Sequence, residues 1–369
     1  MKIGIPKEIK DHEFRVGVTP SGVKALTEAG HEVVVERGAG AAIDFSDALY
    51  QQSGAAIGTR EEVYGCPMVI KVKEPQPSEF PLLWEGQVLF AYLHLAPDPV
   101  QTRALVERKV VAVAYETVTD RRGQLPLLVP MSEVAGRLAI QAGAGALQMI
   151  HGGRGLLLGG VPGVAPARVL VIGGGIVGTQ AARMALGVGA DVTLLDVNLS
   201  RLRELGDLFG PALKTRYSDA YTLNELLSQA DLVVGAVLIP GKQAPKLVTR
   251  QHIKTMKQGS VLVDVAIDQG GCAETSRPTT HSDPTYIVDG VVHYCVANMP
   301  GAVAHTSTWA LTNATLPYAL ELANKGYQAL ADHAGLRDGL NVCLGKVTNR
   351  YVAEDLGYDY TPPEKAISI

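Results

Sequence analysis

The chain has 369 residues, 47% hydrophobic and 19% charged, with a formal net charge of -4. That is the composition of a soluble globular enzyme with core enough for two domains. No Lys/Arg run exceeds two residues, so nucleic acid and anionic membrane surfaces are excluded as partners for want of an electrostatic footprint.

The opening residues, MKIGIPKEIK, carry charges at positions 2, 7, 8 and 10 and lack the apolar core of a signal peptide. No uncharged apolar run reaches the ~18 residues of a membrane span. The four cysteines, Cys66, Cys272, Cys295 and Cys343, form no CxxC pair, and His281 and His293 do not stand at zinc-ligand spacing around them. They read as reduced thiols, and the protein as cytoplasmic.

Short apolar runs alternate with helical patterns in the βαβ rhythm of a parallel, doubly wound sheet. The expected fold is α/β, with two doubly wound Rossmann-like domains and a cleft between them. Residues 1–129 with 305–369 form one domain, and 130–304 the other. The first unit starts at KIGI, followed by Thr19-Pro20 as N-cap and first helical residue of a helix that stops at Gly30. Strands follow at residues 32–36, 68–73, 88–95 and 109–116. A small-residue-rich helix is expected over 132–150, leading through a Gly-rich connector to a second alternating unit that starts at RVLVIGGG. A later helical pattern, 306–326, is expected to be broken or kinked by Pro317. The tail beyond it shows no strand pattern and is expected to pack on the first domain.

The run MVIKVKEP puts Lys71 and Lys73 on one face of a strand that Pro75 terminates. VLFAYLHLAP puts Tyr92 and His94 on one face of the next. Ligands of parallel sheets bind outside the carboxyl ends of the strands, where Lys73 and His94 both stand. Arg15, in the loop after the first strand, falls at the same edge and can grip a carboxylate bidentately. Singly, each has an ordinary explanation: a snorkelling lysine, a core histidine, a surface arginine. Together they suggest oxidation of a small carboxylate-bearing substrate.

Farther along, Gly173, Gly175 and Gly178 fit G-x-G-x-x-G between a strand and a helix. The first glycine makes the turn, the second admits a pyrophosphate, and the third lets helix and strand pack closely. The next strand, DVTLLD, ends in Asp196, placed to accept from an adenosine ribose and to repel a 2′-phosphate. The cofactor expected is therefore NAD. One more run, VLVDVAIDQGG, carries Asp264 within an apolar strand expected over 261–266 and Asp268 at its tip. Asp264 reads as structural. Asp268 reads either as a turn aspartate capping the QGG loop or as a charge delivered to the substrate.

The chain resembles, over essentially its whole length, the family shared by alanine dehydrogenases and the NAD-binding subunit of proton-translocating transhydrogenase. The matching segments, in order, are GIPKE, FRVGVTP, KVKEP, YLHLA, the connector into VIGGGIVG, VDVAIDQGG and NMPGAVAHTSTWALTNATLPY. The resemblance implies that Arg15 and Lys73 hold the substrate carboxylate and carbonyl, that His94 is the acid/base, and that Asp268 completes the site. It also implies that Met131, Ser132, Asn298 and Met299 border the nicotinamide, and that six copies assemble. Reversible conversion of alanine to pyruvate and ammonium is the implied reaction. The alternatives are a transhydrogenase-type subunit that binds NAD(H) without amino-acid chemistry and a non-catalytic NAD-sensing protein. A transhydrogenase strand tip resembles AAEQGG and lacks the YLHLA histidine. Ala304-His305 departs from the family pattern, where a proline and a longer basic residue are expected.

Overall fold

The computed structural model describes residues 1–237 and 244–367. Two compact units emerge, Met1–Met131 together with the stretch from Val303 onward, and Ser132–Ala302. The first six strands belong to the first unit: β1 (Lys2–Ile5), β2 (Glu32–Glu36), β3 (Ala56–Gly58), β4 (Met68–Ile70), β5 (Val88–Ala91) and β6 (Val111–Ala114). In the second unit lie β7 (Arg168–Ile172), β8 (Asp191–Asp196), β9 (Lys214–Tyr217), β10 (Leu232–Gly235), β11 (Val261–Asp264), β12 (Thr285–Val288) and β13 (Val291–Tyr294). The chain then returns to the first unit with β14 (Leu340–Cys343) and β15 (Lys346–Val347).

In the first sheet the order is β15-β14-β6-β5-β4-β1-β2-β3, with β1 to β6 mutually parallel and the last two strands antiparallel. The second sheet runs β12-β13-β11-β10-β7-β8-β9, parallel except for β12. Counted from its own first strand, each parallel core has the order 3-2-1-4-5-6 of a doubly wound nucleotide-binding fold. Strands β4, β5, β6, β10 and β11 are buried at every residue, and so, apart from Asp264 at the end of β11, their sequences are apolar without alternation.

Strand order reverses between β1 and β4 in one unit and between β7 and β10 in the other, so each unit has its ligand-binding switch point there. The residues leaving β1 and β4 are the Glu8-to-Arg15 loop and Lys71 to Lys73. Those leaving β7 are the three glycines.

Several sequence expectations need correction. The runs at 68–73 and 88–95 are strands only as far as Ile70 and Ala91. Backbone bonds continue briefly, from Lys71 N to the Phe90 carbonyl and from Tyr92 N to the Val72 carbonyl. His94 then takes a left-handed φ of 47°, which ends the alternation. The tail does contribute strands, since β14 pairs with β6. Pro317 lies inside one continuous helix, Ala304–Lys325, and does not break it. The small-residue helix is Val129–Ala146, and Met149–His151 forms a separate 3-10 turn. Thr19 caps its helix as expected, accepting from Gly22 N with Pro20 first in the helix.

Candidate active site

At the β1/β4 switch point the first unit brings together Glu8, Glu13, Arg15, Lys71, Lys73 and Glu79. Glu8 bridges the exits of the two strands: Val72 N donates to its Oε1 at 2.7 Å, Lys73 N at 3.3 Å, and Lys71 Nζ reaches its Oε2 at 3.1 Å. Lys71 also pairs with Glu79 at 3.1 Å and is wholly buried, so this lysine is structural and does not present a free charge. Burial opposes its charge, but the two carboxylates outweigh that and raise its pKa. Lys73 is different. Burial, and then the nearby Arg15 charge, hold its ammonium below the usual lysine range.

Arg15 is 2% exposed, and Glu13 fixes its orientation by a bidentate pair, Nε to Oε1 at 2.7 Å and Nη2 to Oε2 at 2.6 Å. Glu13 takes the Nε/Nη2 edge of the guanidinium, which leaves the Nη1 side as the one turned toward other partners. Nη1 meets the Met131 thioether at 3.2 Å, a weak acceptor that a carboxylate would outcompete. Met131 is thus set against Arg15.

His94 is exposed, which removes the core-histidine explanation. Its ring lies parallel to Tyr92, 5.9 Å between centroids and 1° between planes, and the Tyr92 hydroxyl donates to the Leu127 carbonyl at 2.5 Å. Ala304 is buried where the helix begins, and His305 bonds the Ile43 carbonyl at 2.9 Å while its ring packs on Phe45. Both departures from the family pattern are used locally.

The glycines of the second unit behave as their motif demands. Gly173 has a φ of 103°, accessible to glycine. A Cβ at Gly178 would lie 1.8 Å from the Gly173 carbonyl, whereas one at Gly175 would meet nothing within 4 Å. Contact thus forces glycine at 178, and open space before the helix Ile176–Gly187 leaves room at 175 for a pyrophosphate. Asp196 ends β8, its Oδ2 accepting from Gly174 N at 2.6 Å and its Oδ1 from Asn198 N at 2.8 Å. The residues present therefore fit a dinucleotide, with Asp196 beside the turn that would hold it.

Asp264 is buried, and its Oδ2 accepts from Cys272 N, Ala273 N and the Ser276 hydroxyl at 2.8, 3.3 and 2.5 Å. It ties down the segment that follows. Asp268 lies in that segment, exposed, on the 3-10 turn Val265–Gln269 and not on the strand. Asn298, with a φ of 59°, donates its N–H to Asp268 Oδ1 at 3.4 Å. Met299, next in sequence, is 3% exposed. Ser132 is half-buried in the helix Val129–Ala146.

Two family models, described as the N-terminal and C-terminal domains of alanine dehydrogenase/PNT, match residues 4–135 and 139–350. The chain belongs to the alanine dehydrogenase/PNT family. It is 57% identical over 363 residues to an alanine dehydrogenase of Halomonas elongata, covering 98% of each chain. A solved L-alanine dehydrogenase superposes with a TM-score of 0.95 at 50% identity, over 97% of this chain and 99% of that one. A transhydrogenase from Sinorhizobium meliloti gives 0.84 at 25% identity, over 94% and 100%. Within the alanine dehydrogenase/PNT family, then, similarity falls on the dehydrogenase side.

Sequence reasoning missed Glu8, Glu13 and Glu116. Glu8 has partners as far as 65 residues away, beyond any local pattern, whereas Glu13 stands only two residues from Arg15 and was within local reach. Glu116 ends the apolar run at 109–116, which was a usable signal.

Proposed function

We propose that this member of the alanine dehydrogenase/PNT family interconverts L-alanine, NAD⁺ and water with pyruvate, ammonium and NADH. The observation that carries the reading is the placement of Lys73 beside the Glu13-oriented Arg15 at the β1/β4 switch point, close enough for one charge to depress the other. Glu13 occupies only one edge of Arg15, so the Arg15–Lys73 pair still offers positive charge to an incoming anion. A 2-oxo acid supplies a carboxylate for Arg15 and a polarisable carbonyl oxygen for Lys73.

When bound, NAD supplies the acceptor for the hydride that leaves Cα. Gly173, Gly175 and Gly178 would hold its pyrophosphate and Asp196 its adenosine ribose, with Ser132, Asn298 and Met299 bordering the nicotinamide. Arg15 orients the substrate through its carboxylate. Lys73 offsets the charge that grows on oxygen as ammonia adds to the carbonyl. His94 moves the proton between water and the carbinolamine, a role worth ~10²- to 10⁴-fold in rate. Asp268 stabilises the substrate ammonium and orients the water that attacks the imine.

We also place the protein in the cytoplasm and infer that it self-associates, six copies being what the resemblance implies. In the second unit Met149, Ile150, Leu157, Val161 and Val164 are each more than half exposed, an apolar surface suited to another subunit. No helix among the described residues is long and apolar enough to cross a membrane.

The test is the loss of NADH absorbance on mixing with pyruvate plus ammonium, compared with glyoxylate and 2-oxoglutarate. Turnover fastest with pyruvate is expected. Binding of NADH without oxidation by any oxo acid and ammonium would sink the proposal in favour of a cofactor-sensing protein.

A further inference from the structure

The backbone of His94 is held by side chains, not by the sheet. Glu116, on the 3-10 turn Tyr115–Thr117 that follows β6, accepts from Leu93 N with both carboxylate oxygens at 3.2 Å and from His94 N with Oε1 at 2.6 Å. The Leu93 carbonyl accepts from Gln101 Nε2 at 2.8 Å, and the Leu95 carbonyl from the Thr102 hydroxyl at 2.9 Å. These bonds replace a ladder exactly where one is lost, because His94 has a left-handed φ that few residues with a Cβ adopt. Among the described residues Glu116 is the one acidic group within ion-pair reach of His94, yet Nδ1 lies 3.7 Å from Oε1, outside hydrogen-bond range. The carboxylate thus bonds the main chain of His94, not its ring.

We propose that Glu116 is a positioning residue: it clamps the 93–94 peptide groups so that His94 is kept in its left-handed turn with the ring laid against Tyr92. This rests on the catalytic role proposed for His94. Charge matters to the clamp because one carboxylate receives three contacts from two N–H donors, and charge-assisted bonds of this kind are stronger than neutral ones. An amide in its place offers a single acceptor oxygen and turns an NH₂ group toward backbone donors.

A double-mutant cycle on the full-length protein tests it, with kcat measured for wild type, Glu116→Gln, His94→Ala and the double variant. Glu116→Gln is expected to lower kcat at least about tenfold, leave the KM for NADH unchanged, and have under about a twofold effect once His94 is alanine. Equal losses in both backgrounds would overturn the proposal, since Glu116 would then act without His94. If His94→Ala itself keeps the wild-type rate, the catalytic assignment of His94 fails and this proposal with it, an outcome separable from failure of the clamp alone. Hydrogen exchange gives a second readout, also accessible with Glu116→Asp should the glutamine variant fold poorly. Faster exchange confined to the peptide spanning residues 92–96 supports the clamp, and unchanged or globally faster exchange overturns it.

Discussion

Lys71 and Lys73 are two residues apart and of one chemical type, yet the protein puts them to opposite uses. Lys71 is enclosed by Glu8 and Glu79, and removing it would leave two buried carboxylates without their cation, a loss on the order of 3–5 kcal/mol. Lys73 is held below its ordinary pKa by burial and by Arg15, so the folded state gives up its proton at a lower pH than the unfolded chain. Its charge therefore opposes folding at pH values below the folded pKa, and that penalty fades as pH rises through the folded value toward the ordinary lysine value of ~10.4. Lys73→Met should accordingly melt at or above the wild-type temperature near neutral pH, the difference shrinking under alkaline conditions, while turnover with pyruvate falls at least about a hundredfold. Melting curves across that range with parallel rate measurements decide it; a variant that loses stability at neutral pH means Lys73 is an anchor like Lys71. Sequence placed both lysines at the right sheet edge. It could not separate them, because Glu8 lies 63 positions from Lys71 and only the folded sheet joins β1 to β4.

A carboxylate at or just beyond the end of an apolar strand recurs after β6, β8 and β11, as Glu116, Asp196 and the Asp264–Asp268 pair. The repeated pattern has a physical cause: parallel strands end at one edge, where backbone N–H groups and ligands both need acceptors. Asp196 was legible because the glycine spacing before it fixes the element order. Asp196→Ala should weaken NAD binding and relax discrimination against NADP, since the ribose acceptor and the repulsive charge go together; unchanged cofactor preference in steady-state kinetics would count against it. The structural part played by Asp264 was also legible, as an aspartate inside a buried run must be satisfied by local donors. Asp268→Asn is expected to abolish amination yet spare NADH binding and melting temperature. Retention of more than about a tenth of the rate, a loss under ~1.4 kcal/mol, would make Asp268 a turn residue. Glu116 escaped because the apolar run before it looked like strand to its last residue.

At the scale of the whole molecule, five apolar residues between Met149 and Val164 are each more than half exposed, which makes this stretch the place to test the proposed self-association. Light scattering after size exclusion should give a mass of about six chains, the assembly the family resemblance implies, with Ile150→Glu reducing it by placing a charge among the exposed apolar residues. A wild-type monomer would remove the argument from exposed surface. The two-unit alternation could be read in the sequence, whereas the return of the tail as β14 could not, because a strand of only four residues, LNVC, leaves little pattern.

That late strand bears on how the protein comes off the ribosome. All seven strands of the second sheet lie between Arg168 and Tyr294, so its sheet can close while synthesis is still under way. The earlier-made sheet must wait, with β6 presenting a bare edge, until residues 340–343 emerge roughly 230 positions later. At ~5–20 residues per second, that interval lasts on the order of ten seconds or more. The part of the chain made first is therefore the part finished last, and the nascent protein is most exposed to edge-to-edge aggregation, and most in need of a chaperone, while its own middle is already folded.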